Sequence, residues 1–577
     1  MLSKSLKNIN SLKKGKYLEK DSILNEIYYK NNYLIKLNEL KYDFYTNLFY
    51  DDFSINEYSK TILDKLVYLY KNYKFFIFKD VLSILFVLSA CGRLDDFIKF
   101  YRIFKKIGEN DEDKAGDENE IDDEDEEEKE NDEDKENILK KIYVTSIIYD
   151  NNGIFNFLNN EEKIIISKDF SSIFTALKYG SVKIINHFIT KVFDINIKDD
   201  KKGKTLLIRA AEYGNIKSVK FLIDKGADLN LKDKEKNTAL ILASYYGYTE
   251  IVELLIQSGA KLNLKNNDGN TALMLSAGRC NVETVKLLIQ SKAKLNLKNN
   301  DGNTALMLAV DRICIETAKL LIKNGARLDL QNNDGYTALM FAANSNYEDS
   351  KKIVELLIQK GANLDLQNKD NETALIIAAK KGYIEIVELL IKGGANLDLQ
   401  NNKGETALII VTEKIYINEN KEIAKLLIQK GANLNLQDNY GNTALMWATK
   451  RGSKEIVELL IQKGANLDLQ DENGYTALII ALYKSYNHSY NKVYKEIVKL
   501  LIENRANLDL QNNMGHTAIM LAANEGDAEI VKLLIEYGAD INKTKKDGKT
   551  ALDLAKNDEI RQIILEAMKK QKQQNKS

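Results

Sequence analysis

The 577-residue chain carries 83 Lys and Arg against 84 Asp and Glu, with 44% hydrophobic residues, three Cys, three His and no Pro. Single hydrophobic cores stop growing at about 250–300 residues, so this length calls for several domains or a stacked array. Three cysteines exclude a disulfide framework, and the near-neutral total excludes only a uniformly basic or acidic protein.

From the N-terminus, "MLSKSLKNINSLKKGKYLEK" lacks an apolar stretch of signal-peptide length. The most apolar run, "FFIFKDVLSILFVLSAC", is interrupted by Lys79 and Asp80 and is too short on either side to span a bilayer. No membrane span is expected, and a cytoplasmic location is the default, with secretion by a route lacking a cleaved signal left open. Residues 1–78 are rich in Tyr and Lys and read as a helical cap over the first repeat. "SILFVLSACG", Ser83 to Gly92, has the spacing of a worn repeat unit. A helical N-terminal region therefore covers 1–107, with such a unit over 79–107.

Residues 108–137 are of another kind. Glu109 to Asn137 holds nineteen Asp and Glu against three Lys, a net charge of −16. Such a segment cannot bury enough apolar surface to offset chain entropy and is expected to be disordered. Since the whole chain sums to −1, the remainder carries +15. Residues 138–204 hold worn units, the clearest being "SSIFTALKYG", Ser171 to Gly180.

The strongest pattern starts at Thr205. A threonine recurs as Thr205, Thr238, Thr271, Thr304, Thr337, Thr373, Thr406, Thr443, Thr476, Thr517 and Thr550, in steps of 33 except for 36, 37 and 41 after Thr337, Thr406 and Thr476. In the unit of Thr238, the apolar residues Leu240, Leu242 and Ala243, then Ile251, Leu254 and Leu255, fall at helical spacing on either side of Gly247. Two short helices are expected, Thr238 capping the first and Gly247 turning the chain in a left-handed conformation. "GAKLNLKNNDGN" then has the alternation and Asn-Asp-Gly turn of a short hairpin-like finger. The last unit ends in a polar stretch, as a terminal repeat must, with a polar tail over 569–577.

One unit, "TALIIAAKKGYIEIVELLIKGGANLDLQ", Thr373 to Gln400, resembles the ankyrin repeat, and eleven such units cover 205–568. The resemblance implies an all-α (mainly) fold, an α-solenoid of helix-turn-helix units with hairpin-like fingers beside the helical N-terminal region. Alanine stands where the family has proline, and Ile or Met usually stands for its histidine, which removes a local hydrogen-bonding option.

No catalytic constellation is visible, and neither an enzyme nor a cofactor or metal is expected. His187, His488 and His516 are scattered without triad or ligand partners. "GKT" at Gly203 and Gly548 lacks the earlier glycine of a phosphate loop, Lys198 and Lys543 standing there instead. Cys280 and Cys314, one residue out of register in neighbouring units, are expected to be buried or half-buried thiols.

The inter-helix glycine, kept as Gly214, Gly247, Gly382, Gly452 and Gly526, becomes Cys280, Ile313, Asn346, Ile415 and Ser485 elsewhere. The three longer units place their extra residues between the helices, with Tyr347, Tyr416, Tyr483, Tyr486, Tyr490 and Tyr494 in those stretches. They are read as exposed loops, either a recognition edge or tolerated insertions.

Function in a solenoid belongs to the surface left over from stacking. In the ankyrin family the finger tips and the exposed ends of the first helices form the concave binding face. Carried onto this chain, that face comprises Tyr336, Tyr440, Tyr475 and His516 on the fingers, and Tyr213, Tyr245, Tyr246, Arg279, Arg312, Lys380, Lys381, Lys414, Lys450, Arg451 and Lys484 on the helices. Tyr486 and Tyr490 join it from the longest insert. The expected function is a non-enzymatic protein-binding scaffold whose partner presents an acidic or aromatic segment. The acidic stretch 109–137 is a candidate intramolecular competitor. A nucleic-acid reading of the aromatic-basic groove ranks lower, because its cations are mixed with glutamates and no dedicated motif is present. An activity hidden in the N-terminal region has no residues to support it.

Overall fold

A computed structural model of the chain describes residues 97–98, 101–102, 142–148, 150–161, 170–191, 193–487 and 491–574. It divides into two compact units, Met1–Tyr149 and Asp150–Ser577. In the first unit the described residues are helical. The cap expected over 1–78, the worn unit at Ser83 and the acidic stretch lie outside the described residues.

The second unit opens with a helix at Asn152–Glu161 and a helix pair, Ser171–Tyr179 and Val182–Lys191, joined through Gly180 at φ 75°. The units from Thr205 share a common construction. Thr238 sits in extended backbone and its hydroxyl accepts the N–H of Ile241 at 3.3 Å, starting the helix Ala239–Tyr246. Gly247, at φ 78°, ends it, and Thr249–Gln257 runs back. Helices of eight or nine residues are marginal in isolation. Here Leu240, Ile241, Val252 and Leu255 are at most 1% exposed, each worth about 1.5–3 kcal/mol of burial. That burial exists only because neighbouring units stack.

The same threonine bond recurs from Thr205 to Thr476 at 3.2–3.4 Å. It is absent at Thr517, whose hydroxyl is buried without a partner among the described residues. The hydrogen bond thought lost with the family's histidine is partly replaced. The sulfurs of Met274, Met307 and Met340 accept the N–H of Thr271, Thr304 and Thr337 at 3.4–3.5 Å.

Among the described residues the fingers contain no strand, only an isolated antiparallel bridge between Lys198 and Thr205. They are knit to one another by repeated polar rungs. The ammonium groups of Lys198, Lys232, Lys265 and Lys298 donate to the carbonyls of Lys232, Lys265, Lys298 and Gln331 at 2.5–2.8 Å. From Gln331 on, glutamine takes over the rung, and its amide donates twice. Gln400 bonds the Gln437 carbonyl of the next unit at 2.9 Å and the Gly404 carbonyl of its own finger at 2.6 Å. Gln331, Gln367, Gln437, Gln470 and Gln511 do likewise.

Three expectations are corrected. The inserts after Thr337, Thr406 and Thr476 lengthen helices, although Tyr347 and Tyr416 stay outside them and are exposed, as expected. The second helices Glu348–Gln359 and Asn418–Gln429 have 12 residues where Thr249–Gln257 has 9. In the longest unit the helices Ala477–Asn487 and Asn491–Glu503 have 11 and 13 residues. Apolar spacing explains it, since Tyr494, Ile497, Val498 and Leu501 continue one helical stripe and all are buried. Tyr486 is therefore a helix residue, not a loop tip. Left-handed backbone survives glycine loss at Cys280 (φ 59°) and Ile313 (φ 60°), whereas Ser485 lies within a helix. At the end of the array, Thr550 is followed by turns, and the final helix Asp558–Gln574 runs into the stretch expected as tail.

Candidate functional site

Eight of the candidate residues share one register. Tyr213, Tyr246, Arg279, Arg312, Lys381, Lys414, Arg451 and Lys484 each follow their capping threonine by eight positions, at or next to the end of a first helix except for Lys484, which lies in the last turn of a longer one. Between Thr271 and Thr476, six of seven units place a cation there, Ser345 being the exception. A cation at a helix C-terminus is favoured by the unpaired carbonyls, so part of this preference is structural. Exposure decides what is left over for a partner.

At the Tyr-rich end, the Arg279 guanidinium lies 4.2 Å from the ring centre of Tyr245 and donates to its hydroxyl. The Tyr245 and Tyr246 rings meet edge to face at 5.0 Å, and Tyr246 stacks on Tyr248 at 5.7 Å. Burial raises the hydroxyl pKa of Tyr213 and Tyr246, so both remain neutral donors at physiological pH. Tyr246 nevertheless leaves 47% of its surface exposed. Among the described residues Arg312, 71% exposed on its side chain, has only its chain neighbour Asp311 as an ionic contact, at 3.7 Å. Lys381 is exposed.

Towards the other end the cations are matched internally. Lys380 pairs with Glu372 at 2.6 Å, and that hydrogen bond raises its pKa. Arg451 donates to the Glu413 carbonyl at 2.7 Å and stacks over Trp447. Lys450 also lies over the Trp447 ring, bonds Asn442 Oδ1 at 2.5 Å and approaches Asp471 at 3.8 Å. Burial lowers its pKa, opposed by Asp471 and Asp438. The Trp447 indole N–H donates to Asp438 at 2.9 Å. Two lysines and five carboxylates, with Tyr440 and Trp447, line a cavity of about 460 Å³. The basic groove expected here is thus locally neutralised to slightly acidic.

Of the finger residues, Tyr440 is 66% exposed, while Tyr336 packs on Phe341 and Tyr475 on Tyr483. Burial and then Lys545 lower the pKa of His516, favouring the neutral ring. Lys414 and Lys484 are half-buried. Tyr486 is half-buried, and burial followed by Asp527 raises its hydroxyl pKa well above the usual value. Tyr490 lies outside the described residues. Sequence reasoning missed Trp447 and Tyr248. The first was legible as the chain's one tryptophan, at a position where the other units have Leu, Ile or Phe, apart from Arg209 in the first.

The cysteines correct a further expectation. Cys280 and Cys314 are joined by a disulfide, with Cα atoms 5.2 Å apart. Cys91 lies outside the described residues. Among the described residues no group of three or more His, Cys, Asp or Glu is placed to hold a metal, and no helix is long and apolar enough to cross a membrane.

A known family description, ankyrin repeats in three copies, matches overlapping stretches from 173–266 and 260–332 through 414–495 and 487–575. The chain belongs to the ankyrin repeat family. Ankyrin repeats generally serve as modules of protein–protein interaction, and the first match begins within the worn unit at Ser171. No curated protein matches the chain significantly.

Proposed function

We propose that this ankyrin array is a non-enzymatic protein-interaction scaffold and that its partner presents an acidic segment containing aromatic side chains. The observation that carries the reading is the row eight residues after the capping threonines, in which Arg312 and Lys381 are exposed. They flank the tyrosine cluster from one side, with Tyr246 exposed beyond Arg279. Carboxylates of the partner meet the cations, and its rings pack on the tyrosines. The neutralised Trp447 end contributes little to such binding. The stretch 109–137, with its charge of −16, competes for the same cations from within the chain.

The test is fluorescence anisotropy with a labelled polyglutamate peptide at low salt. Replacing Arg312 and Lys381 with Ser is expected to weaken binding about fivefold to thirtyfold, from about 0.5–1 kcal/mol for each exposed ion pair. Far-ultraviolet circular dichroism should not change. Deleting 109–137 is expected to strengthen binding, with a difference that shrinks as salt rises. Equal affinity of the double variant and the native chain would refute the site. Tighter binding of an oligonucleotide than of the peptide, with the same salt dependence, would refute the partner class.

A further inference from the structure

The disulfide results from how the units stack. A Cβ added at Gly180 would lie 2.8 Å from the Asn215 side chain, one at Gly214 would lie 2.6 Å from the Tyr248 ring, and one at Gly247 would lie 2.9 Å from Asn281. In every case the inter-helix residue of one unit faces the residue that begins the second helix of the next. Cys280 occupies the first position and Cys314 the second, 34 residues apart, as Gly214 and Tyr248 or Gly247 and Asn281 are. The apparent offset of one residue is the offset of the contact itself. The two sulfurs are therefore opposed by the repeat geometry, and the Cα separation of 5.2 Å suits a bridge.

The two ends differ in access. Cys280 is exposed, in left-handed backbone at φ 59°. Cys314 is 5% exposed and stands at the start of the helix Ile315–Lys323, whose terminal N–H groups favour a thiolate. An accessible sulfur beside a sheltered one is the arrangement needed for an attacking and a resolving thiol.

We infer that Cys280 and Cys314 form a reversible thiol–disulfide exchange site, a covalent clasp between two adjacent repeats that small-molecule disulfides close and thiols open. Closure begins when the Cys280 thiolate attacks one sulfur of glutathione disulfide. A Cys280–glutathione bond forms and one glutathione thiolate leaves. The Cys314 thiolate then attacks the Cys280 sulfur and expels the second glutathione. Two protein thiols are oxidised, one glutathione disulfide is reduced to two thiols, and the two protein protons end on the departing thiolates. Reduced glutathione drives the same steps backwards. Closing a loop of this length shifts the unfolding equilibrium of the bridged units by up to several hundred-fold, on the order given by chain entropy. The turns so joined carry Arg279 and Arg312, but the inference holds whether or not those residues bind a partner.

The test uses the full chain carrying Cys91→Ser, reduced and then equilibrated with mixtures of reduced and oxidised glutathione. Free thiols are trapped with a maleimide mass tag and counted on the intact protein. The expected result is a population with two tags or none, the proportion following the glutathione ratio. In the additional Cys314→Ser background, a stable glutathione adduct should appear on Cys280. Two tags at every ratio would overturn the inference, as would a persistent singly tagged glutathione adduct when both cysteines are present. A bridge that stays closed in a large excess of reduced glutathione would also overturn it, by showing a permanent crosslink. Peptide mapping of the native chain after oxidation checks that the 280–314 pairing does not depend on the Cys91 substitution.

Discussion

Gln400 offers a way to weigh the polar rungs against the apolar core. Its amide makes two hydrogen bonds, one to its own finger at Gly404 and one to Gln437 of the next unit. A net hydrogen bond is worth about 0.5–1.5 kcal/mol, less where water reaches the freed partner. The site is half-buried, so Gln400→Ala should cost about 1–2 kcal/mol on that scale. Gln400→Lys should cost about half as much, because lysine at the equivalent Lys265 keeps the bond to the next unit, at 2.6 Å. Gln400→Glu has nearly the shape of glutamine but turns a donor into an acceptor facing two carbonyl oxygens, so at neutral pH it should be the most damaging of the three. The reverse change, Lys265→Gln, adds a donor within reach of the Gly269 carbonyl and should stabilise by about 0.5–1 kcal/mol. Urea denaturation gives the ordering, and hydrogen exchange localises it, since a repeat array need not unfold in two states. Stability indistinguishable from native for both Gln400→Ala and Gln400→Glu would refute the argument and leave the rungs as consequences of stacking rather than contributors to it.

Ile313 is β-branched and left-handed at φ 60°, a conformation costing about 1–2 kcal/mol, so Ile313→Gly should raise the denaturation midpoint despite the loss of a half-exposed side chain. A lower midpoint would show that its packing outweighs the strain. Tyr486 is expected to matter to folding: Tyr486→Ser should destabilise by about 1–3 kcal/mol, less than a full aromatic deletion because the site is half-buried. Its pH dependence has a definite sign. The folded-state pKa is raised above the unfolded value of about 10, so the unfolded chain loses the proton first and stability falls as pH climbs past that value. Tyr486→Phe should reduce this alkaline loss, as followed by thermal denaturation across that range.

The period, the capping threonines and the two-helix unit were legible because each is a local rule repeated in register. Thr238 and Gly247 act at the positions where capping and turn chemistry place them. The inserts were less legible for a reason that is also local. They break the 33-residue register, yet the helical stripe through Tyr494, Ile497, Val498 and Leu501 is present in the sequence. The disulfide was hidden by something that no single unit contains. Only the stacking offset, seen at Gly214 against Tyr248, shows that residues one position out of register are neighbours. Charge was the least legible property of the site. Lys380, Lys450 and Arg451 read as free cations, yet Glu372, Asp471 and Glu413 reach them from other parts of the units.

The change of rung from lysine to glutamine gives the array a direction. Units up to Lys298 are tied to the next finger by one side-chain rung bond, while those from Gln331 onward keep that one and add a second bond within their own finger. The same boundary precedes all three lengthened second helices and the neutralised Trp447 cavity. The earlier half carries Tyr246, Arg279 and Arg312, in units whose rung side chain makes one bond and not two. Local opening is set by bonding within and between adjacent units. The Cys280–Cys314 bridge lies in that half, close to the boundary. It adds a covalent tie between units whose rung residue is lysine, so the part of the array that carries Arg279 and Arg312 is also the part whose mobility a change of thiol state can alter.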